Sequence, residues 1–269
     1  MLTKTWTVSL FGVVALACLA PAAQAAEDEE GAWGPITAGA TVTSDYRFRG
    51  QSQTDRDGAI QGWVQYDHPS GFFANIWASN VDFNDTATYD SSIEVDLTAG
   101  YNHAFTDETS AGLKAIYYWY PDADAPPGFG DYDYFELMAT ASHDFGKAAV
   151  SAELAWSPDY FAETGDAVSL KGGVSVPIMD QFAFMGALSA SGNIGYQWID
   201  RNISTPPGLP FFYGTPDYLY YDLGASAAWE IFVIDVRWVG TDISKARCYG
   251  GTDLCEDGVV VSLTANLPG

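Results

Sequence analysis

Apolar and polar residues alternate along most of the chain. In residues 41–50 (TVTSDYRFRG), Val42, Ser44, Tyr46 and Phe48 fall on one face of an extended strand, and Asp45, Arg47 and Arg49 on the other. Residues 92–101 repeat the pattern, with Ile93, Val95, Leu97, Ala99 and Tyr101 against Glu94, Asp96 and Thr98. Leu113, Ala115, Tyr117 and Trp119 oppose Lys114; Val168, Leu170, Val174 and Val176 oppose Ser169 and Lys171; Phe232, Ile234, Val236 and Trp238 oppose Asp235 and Arg237. A period of two puts successive side chains on opposite faces of a strand, and no stretch sustains the helical period instead. With the turn signals between them, these runs predict about twelve strands, near 36–50, 58–68, 71–83, 90–103, 109–120, 132–143, 147–157, 166–176, 182–199, 216–229, 231–241 and 257–267. Most are long enough to cross a bilayer at a tilt, which takes about 9–11 residues. Strands of a water-soluble sandwich are nearer five or six.

The links between strands alternate in length. Every second link is tight: His68-Pro69-Ser70-Gly71, residues 104–108, Asp144-Phe145-Gly146, residues 177–181 and Glu230. The others are longer, at 51–57, 84–89, 121–131, 158–165, 200–215 and 242–256. Segregation of short turns to one rim and long loops to the other is the habit of an outer-membrane barrel. The predicted fold is therefore an all-β, antiparallel, up-and-down transmembrane β-barrel over residues 36–269. Closure leaves no strand edge unpaired, which hydrocarbon would penalise by several kcal/mol per orphan backbone group.

Composition narrows the choice of partners. The chain has 35 acidic against 11 basic residues, a formal charge of −24, which excludes nucleic acid as a partner because no basic stripe exists to replace phosphate counterions. Hydrophobic residues make up 48% and aromatic residues 15%, yet mean hydropathy is neutral and no long apolar helix follows the N-terminus. Lipid-facing stripes interleaved with polar ones account for both facts. Aromatic residues gather at strand ends: Tyr66, Phe72, Phe73, Tyr101, Trp156, Phe182, Trp229 and Phe232 towards the short turns, and Phe48, Trp119 and Trp198 towards the long loops. Two interfacial girdles would place them so, a buried aromatic core being the alternative.

At the N-terminus, Lys4 precedes an apolar run over residues 6–20, followed by Pro21 and a small-x-small site at Ala23-Gln24-Ala25. These are the marks of a cleavable signal peptide over residues 1–25, leaving a short acidic segment, 26–35, ahead of the barrel. Cys18 leaves with the peptide. Cys248 and Cys255 remain as a close pair in an exported protein; a disulfide is the first reading and a metal site the second.

Residues 44–54 (SDYRFRGQSQT), Gly58, Trp63 and 71–83 (GFFANIWASNVDF) resemble the opening signature of the TorF family of outer-membrane barrels regarded as porins, also catalogued as Gcw_chp. The resemblance continues through 94–101 (EVDLTAGY), 117–121 (YYWYP), 157–161 (SPDYF), Tyr221-Asp222-Leu223-Gly224 and 241–263. It implies a location in the bacterial outer membrane, with outer-membrane lipid, small solutes or ions, and the outer-membrane assembly machinery as partners. Where such barrels usually end on an aromatic residue, this chain ends Asn266-Leu267-Pro268-Gly269.

Twelve strands about 4.8 Å apart and tilted about 40° enclose a backbone radius of roughly 12 Å, which leaves a narrow aqueous path at most. The period-two reading lines that path with Asp45, Arg47, Arg49, Glu94, Asp96, Lys114, Glu136, Glu153, Lys171, Asp222, Asp235 and Arg237. Such a mixed lining, with acids in slight excess, either selects weakly for cations or closes the lumen by ion pairing, for instance of Arg47 and Arg49 with Glu94 and Asp96. In the long links acids outnumber bases twelve to four, which concentrates cations at the mouth or merely keeps that face solvated. The histidines, His68, His103 and His143, all fall beside short turns and in phase with the lipid-facing residues, away from any nucleophile. No phosphate loop, zinc signature or nucleophile elbow appears, so neither an enzyme nor a cofactor is expected. The sequence thus points to a passive, weakly cation-preferring porin, with a non-conducting structural or surface-interaction barrel as the alternative.

Overall fold

A computed structural model describes residues 35–83, 91–123, 131–182, 186–200, 217–249 and 251–267. The expected signal peptide and most of the acidic segment behind it lie outside these residues. Fourteen strands are described: β1 (Ile36–Thr43), β2 (Arg47–Phe48), β3 (Gln51–Ser52), β4 (Ala59–Asp67), β5 (Phe72–Asn80), β6 (Ile93–Ala104), β7 (Thr109–Trp119), β8 (Tyr134–Asp144), β9 (Ala149–Ser157), β10 (Ala167–Met179), β11 (Leu188–Ile199), β12 (Tyr218–Trp229), β13 (Phe232–Thr241) and β14 (Gly258–Leu267). All but β2 and β3 join one closed antiparallel barrel, in which each strand pairs with its neighbours in sequence. The ring shuts where β1 meets β14, from Ala38 opposite Leu267 to Thr43 opposite Ser262. On its other side β1 pairs with β4, from Ile36 opposite Tyr66 to Thr43 opposite Ala59.

The alternation read from the sequence has a physical cause in this wall. Along β6 the side chains of Ile93, Leu97 and Tyr101 are exposed on the outside, while Glu94 and Thr98 are buried within. Ile60, Val64, Leu113, Leu154, Leu170, Ile194, Leu223, Val236, Val259 and Leu263 likewise stand exposed on the outer surface. A surface so uniformly apolar is stable only against hydrocarbon, and closure leaves that hydrocarbon no open backbone edge. Leu223 sits mid-strand on β12 and is 62% exposed. Leu223→Arg is expected to cost about 2–4 kcal/mol of folding stability in a bilayer, the range for arginine on a barrel's lipid face near the midplane. Denaturant titration of folding into lipid vesicles measures it, and Ser226→Thr, on the interior face of the same strand, should cost far less.

Several boundaries differ from expectation. β1 stops at Thr43 rather than running to residue 50, β5 ends at Asn80, β6 starts at Ile93 and β10 extends to Met179, while β11 starts only at Leu188, so the link between β10 and β11 is the longest at its rim. The first difference matters most. Although residues 44–50 keep the alternating pattern, they leave the wall and turn inward, so Tyr46 and Phe48 are buried inside the barrel and do not join a lipid-facing girdle. Phe73 also points inward, in phase with Asn75 on β5, and its ring lies over Gly100 on β6. Tyr66, Phe72, Tyr101, Phe182 and Trp229 near the short turns, and Trp119 and Trp198 near the long loops, are exposed on the outside; so is Trp156, but at the long-loop end of β9 rather than beside a short turn.

Candidate functional site in the barrel lumen

The segment joining β1 to β4 folds into the barrel at the long-loop rim. β2 and β3 pair Arg47 with Ser52 and Phe48 with Gln51, which leaves a two-residue turn at Arg49-Gly50. Both turn residues have positive φ, 45° and 85°, the requirement of the tight hairpin turn whose twist suits paired strands. A left-handed conformation costs arginine roughly 1–2 kcal/mol. The contacts of its side chain offset that strain. Its Nη2 donates to Glu136 Oε2 at 2.8 Å on β8, and its Nη1 to Gln197 Oε1 at 2.9 Å on β11. The guanidinium also lies 4.7 Å from the centre of the Phe48 ring. At the tip, Gly50 abuts β13, two strands round the ring from β1: a Cβ there would stand 2.6 Å from Thr241 Cγ2 and 2.7 Å from the Gly240 carbonyl. The hairpin backbone therefore lies against β13, and the Arg49 side chain crosses the lumen to β8.

The last long link grips this hairpin from above. Arg47 Nη1 donates to the carbonyls of Gly50, Leu254 and Glu256 at 3.2, 3.2 and 2.9 Å, while its Nε pairs with Asp45 at 2.5 Å. The Ser52 amide donates to the Leu254 carbonyl at 2.9 Å, and the Tyr249 hydroxyl to Gln51 Oε1. Burial pushes the Tyr249 phenol up, so it stays protonated and able to donate. Cys248 and Cys255 are joined by a disulfide, with Cα atoms 5.9 Å apart, and Thr241 Oγ1 donates to the Cys255 carbonyl at 2.9 Å. Tyr218, Tyr220, Ile243 and Leu254 pack around the bridge. On the opposite side, Tyr46 and Phe48 pack into an aromatic wall with Tyr118, Tyr120, Tyr132 and Tyr134. The Tyr118 and Tyr134 rings stack 4.2 Å apart.

Below the hairpin the interior is polar and its charges are grouped. Lys171 Nζ on β10 meets Glu153 Oε1 on β9 at 3.1 Å. Arg237 on β13 contacts Asp222 on β12 and donates to Asp235 Oδ2 and Ser191 Oγ, each at 3.0 Å. Asn193 adds a further donor to Asp222 at 3.0 Å. Glu94 and Asp96 on β6 and Lys114 on β7 face the same interior. Nine of the twelve charged residues expected to line the lumen thus stand on inward-facing wall positions. The other three, Asp45, Arg47 and Arg49, belong to the hairpin, because the wall strand ends before them. Nor do the arginines pair with Glu94 and Asp96: Arg47 takes Asp45 and Arg49 takes Glu136. The inward turn carries each guanidinium past β6 towards β8 or up to the last loop.

Several contacts of this site have only a faint sequence signal. Gln197 is in phase with Ser189, Ser191 and Asn193 along β11, which could have marked it as interior. Gln51 and Tyr249 lie in links, where no periodicity sets a direction. At the long-loop rim, Asp122 accepts from the Ser92 amide at 3.1 Å and the Ser91 hydroxyl at 3.2 Å. Burial alone would raise its pKa, but the hydrogen bonds from Ser92 and Ser91 outweigh it and hold the carboxyl below the usual range. That contribution to loop stability is full above the ordinary carboxylate pKa and fades as pH falls through the lowered one. The histidines remain at the opposite rim: His68 bonds Ser70 at 2.7 Å, His143 bonds Thr109 at 2.8 Å, and His103 stacks beside Tyr101.

With this geometry in view, likenesses to known proteins fall into place. The family model Gcw_chp, described as a bacterial protein of unknown function, matches residues 28–267. No curated protein matches the sequence. Among solved structures, the NanC porin aligns over 86% of this chain and 99% of its own at 7% identity, with a TM-score of 0.53. The KdgM porin aligns over 86% and 97% at 9% identity, with a TM-score of 0.49. LpxR from Salmonella typhimurium aligns over 86% and 99% at 8% identity, with a TM-score of 0.47. At such identities the likeness is one of fold. The chain belongs to the Gcw_chp family of bacterial proteins, and its twelve-stranded antiparallel barrel has the fold of outer-membrane porins.

Proposed function

We propose that this protein is an outer-membrane channel for passive passage of small solutes or ions, weakly preferring cations and throttled by its own first loop. The observation that carries this reading is the contrast between an apolar outer wall and a charged interior within one closed ring. Export by a signal peptide cleaved after Ala25, with insertion by the outer-membrane assembly machinery, would leave the short-turn rim in the periplasm and the hairpin at the outer mouth. The resemblance to the TorF family agrees with this orientation and use. No catalytic step or cofactor enters the reading, because the histidines stand on the rim away from the lumen.

The cation preference follows from the charges themselves. Asp45, Glu94, Asp96, Glu136, Glu153, Asp222 and Asp235 outnumber Arg47, Arg49, Lys114, Lys171 and Arg237, and the long links are acidic. An acidic mouth and lining raise the local concentration of small cations and repel anions. A second reading, a non-conducting barrel that works through its outer loops, has one observation in its favour: the hairpin and its buried ion pair cross the lumen at the long-loop rim. Purified protein in planar bilayers under a salt gradient separates them. Discrete current steps with a reversal potential on the cation side are expected; membranes that stay silent, or steps that favour anions, would sink the channel reading.

A further inference from the structure

Glu94 and Asp96 stand two residues apart on the inner face of β6, so their carboxyls enter the same region of the lumen. Glu94 is only 2% exposed. Its Oε1 accepts a hydrogen bond from the Tyr46 hydroxyl at 3.3 Å. Its Oε2, and Oδ1 of Asp96, are buried with no hydrogen-bond partner. A buried carboxylate oxygen facing no donor marks the place of an ion, a water or a proton. The guanidiniums and one ammonium of the neighbourhood are engaged elsewhere: Arg47 with Asp45, Arg49 with Glu136, Lys171 with Glu153, and Arg237 with Asp222 and Asp235. Lys114 faces the same interior and interacts with both Asp96 and Glu153. The Tyr120 phenol also reaches towards Glu94.

We infer that Glu94 and Asp96, roofed by Tyr46 of the hairpin, form a binding site for a hard metal cation. All the available donors are oxygens, two carboxylates and phenol hydroxyls, the set that calcium-like cations favour over the nitrogen and sulfur ligands sought by zinc or copper. Together with Lys114, such an ion would neutralise a pair of interior acids that no arginine among the described residues bridges. Because Tyr46 belongs to the hairpin, the ion would also fasten that hairpin to β6. The site does not depend on whether the barrel conducts.

Terbium, a luminescent stand-in for calcium, tests this in detergent-folded protein. Tyr46 and Trp77, whose rings are 5.3 Å apart, lie beside the site and would sensitise its emission. The wild type should give sensitised emission that calcium displaces, and calcium should raise its unfolding temperature. E94Q with D96N, which keep shape and hydrogen-bonding capacity, should weaken terbium at least tenfold and abolish the calcium shift. D253N with E256Q, in the outer loop, should leave both unchanged. Should the double variant fail to fold, D96N alone is expected to show the same weakening. Emission that persists in the β6 variants, or a wild type whose stability ignores calcium, overturns the inference and leaves a shared proton as the occupant.

Discussion

Arg49→Ala is expected to lower the folding stability of the barrel by about 3–5 kcal/mol and to enlarge its single-channel current, both from one lost side chain. The guanidinium is buried and holds Glu136 Oε2 at 2.8 Å and Gln197 Oε1 at 2.9 Å, on two strands across the lumen from where the hairpin begins. Removing it leaves Glu136, itself 1% exposed, as an uncompensated buried charge. Breaking one partner of a buried pair is far more damaging than replacing both with apolar groups of similar size. Arg49→Met combined with Glu136→Leu should therefore recover much of the stability. It should not restore the small current, because nothing then ties the turn to β8. Urea titration in detergent reads the first effect and planar-bilayer recording the second. A variant that keeps wild-type conductance would show that the hairpin does not set the current.

Replacing Cys248 and Cys255 with serine is expected to cost roughly 2–3 kcal/mol, from the loop entropy released when so short a bridge is cut. The bridged residues are seven apart, and the enclosed segment carries Leu254, whose carbonyl accepts from both Arg47 and the Ser52 amide. Loosening it frees the upper side of the hairpin just as Arg49→Ala frees the lower. Current through the serine variant should be larger and noisier than through the wild type, and a reducing agent should convert the wild type towards the same behaviour. The effects of the two lesions on current should be less than additive, since both release one element. Full additivity would place the disulfide's influence elsewhere.

The wall was legible and the hairpin was not, for a reason that residues 41–50 make plain. Alternation reports that a strand has two unlike faces, and Val42, Ser44, Tyr46 and Phe48 continue that pattern without a break into the inward turn. The wall ends at Thr43, and what reverses the chain inside it is Arg49-Gly50, a turn whose first residue is not among those that adopt positive φ readily. Its stability comes from Glu136, 87 residues away, and sequence spacing says nothing about which strands face each other across a ring. The same limit explains the misassigned ion pairs: parity placed Glu94, Asp96, Glu136 and Glu153 inside, but only the curvature of the wall decides which arginine reaches which acid. Phe73 was a different case. Its parity with Asn75 marked it as interior, and its position near a strand end was the weaker signal.

The clasp between the first loop and the last also orders the events of assembly. Ser52 and Arg47 find the Leu254 and Glu256 carbonyls only once β13 and β14 have brought that loop over the mouth, and β1 meets β14 at the same seam. Without its final strand the ring therefore lacks both the β1–β14 seam and the upper grip on the hairpin, which keeps only its ties to β6, β8 and β11. A chain truncated before that loop would lose the clasp and the closing strand together, leaving the open backbone edges of β1 and β13 that hydrocarbon penalises.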